Sequence, residues 1–229
     1  MADAGIPWVG PEAAVTPVSV ALPADGDRAF VTAAPPPTVE VDAEALRALA
    51  PRAIVVDLPN VDRIPAIDPP PAVYAVVGDP EVRVLVGNLP ASLGHVRAFV
   101  LNEREAMALT GSRGREPALE ALVALGTTVV VTCGGAGAVA AAPDGERSSV
   151  PALDVAIEDT TGAGDLFTAA YVWSELAGRP LGARLRLAST YASLSLAAAT
   201  RTRQKGVTRA ELERALADRG MSELMIEEA

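Results

Sequence analysis

The feature that most constrains this chain is the stretch 158–167, in which Gly162, Ala163 and Gly164 follow an extended run and begin a helical pattern. The first amides of a helix have no partners within the helix, and they lie at the positive end of its dipole. Glycine lets a ligand approach such amides closely. The stretch therefore predicts a turn between a strand and a helix that binds phosphate.

Asp165 lies in the same turn, where a carboxylate would repel a bound phosphate. A base that takes the proton of an attacking hydroxyl would have to lie at this place. The alternative is an ordinary helix start with Thr160 or Thr161 as the cap. A simple cap requires neither two glycines nor an aspartate six residues after Asp159, so the pattern favours a functional site.

Composition narrows the class of protein. A chain of 229 residues that is half apolar can bury a large core, and one domain over 1–229 is expected. The net charge of -10 argues against nucleic acid and anionic membranes as partners. Cys133 is the single cysteine, and no basic start is seen, so a reducing, cytoplasmic location without a signal peptide is expected.

Several functional classes lack their motifs. The single lysine belongs to no P-loop, and one histidine without G-x-S-x-G argues against Ser-His-Asp hydrolysis. No cysteine and histidine cluster has zinc spacing. The charge-free run 121–142 contains three threonines and four glycines, so it is interpreted as helix end, strand and turn, not as a membrane span.

Apolar runs that alternate with helical patterns predict an α/β domain with a mainly parallel sheet flanked by helices. Residues 1–15 are expected to be irregular, 16–34 to form a β-hairpin, and the acidic tail 221–229 to fray. Predicted strands are 53–57, 73–77, 82–86, 98–101 and 128–132, with extended pieces at 138–142 and 148–150. Predicted helices are 103–109, 117–125, the helix after the glycine turn, 184–199 and a last helix that begins at a capping box of Thr208 and Glu211.

Two further segments allow two interpretations each. Asn102 and Glu105 follow a strand, and they fit either a capping box or a pair that faces a metal-bound nucleotide through water. The glycine-rich stretch 132–137 fits either a simple turn or a hairpin whose backbone lies against a nucleotide. A dinucleotide fingerprint at 135–140 is rejected, because it requires a helix to follow and 143–145 leaves room only for a short strand.

The sequence Asp-Thr-Thr-Gly-Ala-Gly-Asp at 159–165 resembles the signature of the ribokinase-like carbohydrate kinases, the phosphofructokinase-B type. The pair Asn102 and Glu105, the turn from Thr132 to Gly137 and the order of these motifs resemble that family too. The resemblance implies a ribokinase-like layered fold. It also implies transfer of a phosphoryl group from ATP to a hydroxyl of a sugar or nucleoside.

The resemblance also implies roles for single residues. Asp165 would be the catalytic base, and the amides of Gly162, Ala163 and Gly164 would form the anion hole. By the same resemblance, Asn102 and Glu105 would order magnesium and the phosphates. The nucleotide would be bound by Thr132, Gly134, Gly137 and Ser189. Asp159 and Thr161 would bind a monovalent cation such as K+.

The chain departs from the family at its start. Members usually begin with a strand that carries a substrate-binding aspartate, followed by a Gly-Gly segment, and neither is found here. Asp57, Asp79 and Asn88 are conceivable substitutes that the sequence does not distinguish. A shortened, non-catalytic relative that binds nucleotide or a protein partner is therefore the alternative, and a homodimer is left open.

Overall fold

The computed structural model describes residues 18–24, 27–33, 41–157, 160–197 and 207–225. The described residues belong to two compact units. One unit comprises the described part of Met1–Pro51 together with Arg63–Pro70, and the other comprises Arg52–Asp62 together with Pro71–Ala229. The single domain over 1–229 stays a prediction, and the N-terminal segment 1–15 lies outside the described residues.

The smaller unit contains an antiparallel hairpin of β1 (Val18–Ala24) and β2 (Asp27–Ala33), in which Val18 pairs with Ala33. It also contains the short helix α1 (Ala43–Leu49). The Asp42 side chain caps α1 by accepting hydrogen bonds from the amides of Glu44 and Ala45.

The larger unit is built on a six-stranded sheet. In chain order its strands are β3 (Ala53–Asp57), β4 (Ala72–Val76), β5 (Ala98–Asn102), β6 (Thr128–Thr132), β7 (Ala138–Ala141) and β8 (Arg147–Val150). They lie side by side in the same order, parallel from β3 to β6 and antiparallel from β6 to β8. The predicted mainly parallel α/β sheet is confirmed.

Helices cover both faces of this sheet. The helices are α2 (Asp79–Leu85), α3 (Glu103–Thr110), α4 (Arg115–Val123), α5 (Ala163–Leu176), α6 (Leu181–Ala197) and α7 (Arg209–Ala217). On one face Phe99 and Val129 pack in a core that includes Leu109 and Leu122 from α3 and α4. On the other face Tyr74, Val100 and Val130 pack in a second core with Phe167 and Tyr171 of α5 and Leu185 of α6.

The strand predicted at 82–86 is wrong, because these residues belong to α2 and the following turn. The alternating valines imitate a half-buried strand, but Pro80 lies in the first turn of the helix, where a missing N–H costs little. Val82 is 5% exposed whereas Val84 is 76% exposed. Gly78 caps the helix in an extended conformation.

The strand predicted at 53–57 is present and parallel, and it lies at the edge of the described sheet. β3 pairs only with β4 in the described sheet, and Val55 is 49% exposed. At the other end of the chain, Leu224 is buried against α6 and α7, while 226–229 lie outside the described residues. Among the described residues, no helix has both the length and the apolar character needed to cross a membrane.

Candidate active site

The carboxyl ends of the parallel strands meet the start of α5. β6 ends at Thr132 beside Asn102, the last residue of β5, and both residues line a cavity of about 220 Å³. The same space is lined by Gly162, Gly164, Asp165 and Thr168, and we call it the Asp165 cavity. The Asp165 side chain is exposed, so it faces an open cleft and not a packed core.

The first turn of α5 begins without a side-chain cap. Gly162 occupies the N-cap position with φ +79, a conformation that glycine adopts at little cost. The Ala163 amide donates to the carbonyl of Thr160 at 3.3 Å. Within the described residues no acceptor is found for the amides of Gly164 and Asp165. These two amides therefore point to the same anion-binding end of the helix that the glycine pattern predicts.

Asn102 and Glu105 form a complete capping box at the start of α3. The Glu105 amide donates to Asn102 Oδ1 at 2.9 Å, and the Asn102 amide donates to Glu105 Oε2 at 2.7 Å. Glu105 is nevertheless only 8% exposed and lines the Asp165 cavity with Asn102. The two interpretations of this pair are thus compatible, because the cap itself holds the amide and the carboxylate at the cavity wall.

A second cavity of about 250 Å³ lies next to the first, and we call it the glycine-lined cavity. Gly134, Gly135 and Gly137 form one part of its wall, in the turn that follows β6. This turn leads into strand β7, so no dinucleotide-binding helix follows. The remaining wall is mostly apolar, with Leu153, Val155, Ile157, Phe167 and Leu196 among its residues.

Ser189 and Ser193 join α6 to the loop that closes the glycine-lined cavity. Ser189 Oγ donates to the Pro151 carbonyl at 3.0 Å, and Ser193 Oγ accepts from the Leu153 amide at 3.2 Å. Both serines are 5% exposed and line the cavity. The sequence predicted Ser189 but missed Ser193, although a serine one helical turn further along the same face could have been recognised.

Thr132 and Gly164 line both cavities, so the two spaces adjoin at these residues. The larger unit therefore brings together Asn102, Glu105, Thr132, Gly134, Gly137, Gly162, Ala163, Gly164, Asp165 and Ser189. Of the two residues expected at a monovalent cation, Asp159 lies outside the described residues, and Thr161 is exposed at the start of the turn.

The electrostatics of the site include Asp57, at the carboxyl end of β3. Partial removal of water around this side chain raises the pKa of its carboxyl group, and the negative charge of Asp165 raises it further. Cys133, in the glycine turn, also has a raised pKa, because burial outweighs the opposing effect of the Arg115 guanidinium. Among the described residues no group of three or more histidine, cysteine, aspartate or glutamate side chains could chelate a metal ion.

The sequence matches the family model described as pfkB family carbohydrate kinase over residues 79–203. That range covers β5 to α6 and most of the residues around both cavities. Among curated proteins, no significant match is found.

Solved structures share the fold at low sequence identity. A probable sugar kinase from Rhizobium etli CFN 42 aligns with a TM-score of 0.59 and 23% identity, over 74% of this chain and 54% of its own. A candidate ribokinase II from E. coli, solved with ATP and Mg2+, aligns with a TM-score of 0.65 and 17% identity, over 87% of this chain and 71% of its own. Arabidopsis thaliana ribokinase, solved with ribose and ATP, aligns with a TM-score of 0.65 and 20% identity, over 84% of this chain and 66% of its own. The chain thus spans about half the length of the Rhizobium protein and up to about 70% of the other two.

Proposed function

The chain belongs to the pfkB family of carbohydrate kinases, and from this we propose that it transfers the γ-phosphoryl group of ATP to a hydroxyl of a sugar or related small molecule. The observation that carries the proposal is the position of Asp165, exposed at the start of α5 in a cavity that adjoins a glycine-lined one. The ribose and ATP in the Arabidopsis structure support the same class of substrates.

The proposed chemistry needs positioning and charge stabilisation more than covalent help from the protein. The acceptor hydroxyl lies beside Asp165, which takes its proton as the oxygen attacks the γ-phosphorus. The new O–P bond forms as the bond from that phosphorus to the bridging oxygen breaks, and ADP leaves with the electron pair. The amides at the start of α5, within Gly162 to Asp165, stabilise the charge that develops on the phosphoryl oxygens.

The nucleoside part of ATP is assigned to the glycine-lined cavity in this proposal, because the apolar wall suits a nucleobase. The phosphates would then extend towards Asp165 past Thr132 and Gly164, which line both cavities. The carboxylate of Glu105 and the side-chain oxygen of Asn102 are oxygen ligands of the kind that order Mg2+ through water. The E. coli protein with the same fold was solved with ATP and Mg2+, which supports Mg2+ as the metal. Bound Mg2+ would neutralise phosphate charge. Asp159 and Thr161 are proposed for K+.

The direct test is Asp165→Asn, which keeps the size of the side chain and removes the base. We expect phosphorylation of a sugar and nucleoside panel to fall by about 100-fold or more, since general base catalysis contributes about that much. Binding of Mg-ADP, measured by calorimetry, should persist. The control is Asp144→Asn, the same change in the turn between β7 and β8. Because β7 runs antiparallel to β6, this turn lies at the end of the sheet away from the carboxyl ends of the parallel strands.

Two results would count against the proposal. Turnover of Asp165→Asn equal to that of the unchanged protein would remove Asp165 as the base. Nucleotide binding by the unchanged protein without phosphorylation of any acceptor would favour the alternative, a relative that binds nucleotide or a protein partner without catalysis.

A further inference from the structure

The segment between β8 and α5 provides much of the apolar wall of the glycine-lined cavity. Leu153, Val155 and Ile157 from this segment line the cavity, and Ile157 is 60% exposed. Among the described residues, no backbone hydrogen bond is found for 154–157. The wall on which the proposed nucleobase would pack therefore depends on how the segment is fixed at its start.

Two contacts fix the chain immediately after β8. The glycine turn lies tightly against it, since an added Cβ on Gly137 would lie 2.0 Å from the Val150 carbonyl oxygen and 2.7 Å from the Ala152 nitrogen. From α6, Ser189 Oγ donates a hydrogen bond to the Pro151 carbonyl at 3.0 Å. Both contacts are made before the chain reaches the first of the three wall residues.

Ser193 fixes the first wall residue itself. The Leu153 amide donates a hydrogen bond to Ser193 Oγ at 3.2 Å, one helical turn beyond Ser189. Ser193 is 5% exposed, so water has little access to replace this bond. Without it, the run that makes no hydrogen bond among the described residues would lengthen from 154–157 to 152–157.

The length of this run affects how tightly a ligand can bind against it. Each backbone residue that a ligand must order on binding costs conformational entropy. A wall that is already fixed in the free protein avoids that cost, and this preorganisation raises affinity without any new contact to the ligand. The hydrogen bond from Leu153 to Ser193 is therefore expected to act on ligand affinity from outside the contact surface.

We propose that Ser193 is a positioning residue of the nucleotide site, which fixes Leu153 and with it the apolar wall before the nucleobase binds. The ligand is a nucleoside phosphate whose base packs on Leu153, Val155 and Ile157. Ser193 acts through the Leu153 amide and takes no part in the transfer of the phosphoryl group. This inference rests on the proposed binding of ATP in the glycine-lined cavity.

Calorimetry with Mg-ADP tests the effect of Ser193 on affinity. Loss of the hydrogen bond in Ser193→Ala should raise Kd by about 3- to 10-fold. The matched control is Ser195→Ala on the same helix, because Ser195 Oγ donates to the Tyr191 carbonyl at 2.8 Å and is not among the residues that line the two cavities. The control should bind Mg-ADP as the unchanged protein does.

Hydrogen exchange of the Leu153 amide, followed by NMR, shows whether the effect passes through this bond. In the free protein, exchange should be faster in Ser193→Ala than in the unchanged protein and should stay the same in Ser195→Ala. In the unchanged protein, Mg-ADP at about ten times its Kd should slow the exchange by about 10-fold, because only the fixed wall binds the base.

Two results with Ser193→Ala would overturn the inference. One is faster exchange at Leu153 with an unchanged Kd, which is the outcome of a purely structural role. The other is a raised Kd with unchanged exchange at Leu153. If Ser193→Ala does not fold, as judged by circular dichroism, the unchanged protein decides: slower exchange at Leu153 with Mg-ADP supports the inference, and equal exchange overturns it.

The same measurements separate this inference from the proposed function. An unchanged protein that binds Mg-ADP and phosphorylates no acceptor contradicts the proposed phosphoryl transfer, while the role of Ser193 is still decided by Kd and exchange. An unchanged protein that does not bind Mg-ADP overturns the inference, and turnover then decides the proposed function.

Discussion

Gly137 lies close against the backbone of the loop that follows β8. Its φ of +94 lies in the region that side chains rarely adopt, and an added Cβ would lie 2.0 Å from the Val150 carbonyl oxygen. Gly137→Ala should therefore destabilise the fold by about 2 kcal/mol or more, from backbone strain and displacement of the loop after β8. Urea unfolding measures this loss.

The neighbouring Gly135 provides the control for that prediction. A Cβ at Gly135 meets nothing within 4 Å, although the residue lines the same cavity. Gly135→Ala should keep its stability within about 0.5 kcal/mol. If both variants unfold at the same urea concentration, close backbone approach does not explain Gly137.

Tyr171 predicts a pH effect on stability. Burial, followed by the charge of Glu175, raises the pKa of Tyr171 to about 12, while Arg184 opposes the shift. The unfolded chain then loses this proton at lower pH than the folded chain, so stability is full below pH 10 and falls as pH rises from about 10 to about 12. Tyr171→Phe should shift alkaline unfolding to higher pH, as followed by circular dichroism.

At neutral pH the same substitution should cost little. The Tyr171 hydroxyl is buried without a hydrogen-bond partner among the described residues, whereas the Tyr191 hydroxyl donates to the Val207 carbonyl at 3.3 Å. Tyr191→Phe, the matched control, should lose about 1 kcal/mol at pH 7. A greater loss for Tyr171→Phe than for Tyr191→Phe would contradict this assignment.

At the scale of elements, two helices begin with the same hydrogen-bonded motif, a capping box, in different surroundings. Capping boxes begin α3 at Asn102 and α7 at Thr208, and the first of them lines the Asp165 cavity. Asn102→Ala and Thr208→Ala should each reduce the free energy of unfolding by about 1 kcal/mol. Only Asn102→Ala should also weaken Mg-ATP binding or turnover. An equal effect of both variants on nucleotide binding would show that the cap of α3 acts through stability alone.

Capping motifs also explain which elements could be predicted from the sequence. α3 and α7 have unambiguous starts, because a capping box marks each of them. Residues 82–86 do not, since alternating valines favour a strand while Pro80, two residues earlier, favours a helix start. Val82 is 5% exposed and packs in the core on the α3 and α4 side of the sheet, and this packing leaves no local pattern in the sequence.

At the scale of the whole molecule, the sequence predicts the layers and most of the site, because chemical motifs at the ends of strands and helices are local. Asp165, Asn102 and the glycine turn were found in this way. The exposed position of β3 at the edge of the described sheet depends on contacts between distant segments. Such contacts leave no local pattern.

The residues shared by both cavities, Thr132 and Gly164, restrict how such a protein can be re-engineered. Under the proposed function, a bulkier side chain at either position, introduced to change the preferred nucleotide, would also intrude on the space beside Asp165. Leu153 and Leu196 line the glycine-lined cavity and not the Asp165 cavity, so substitutions there would change the nucleotide side alone.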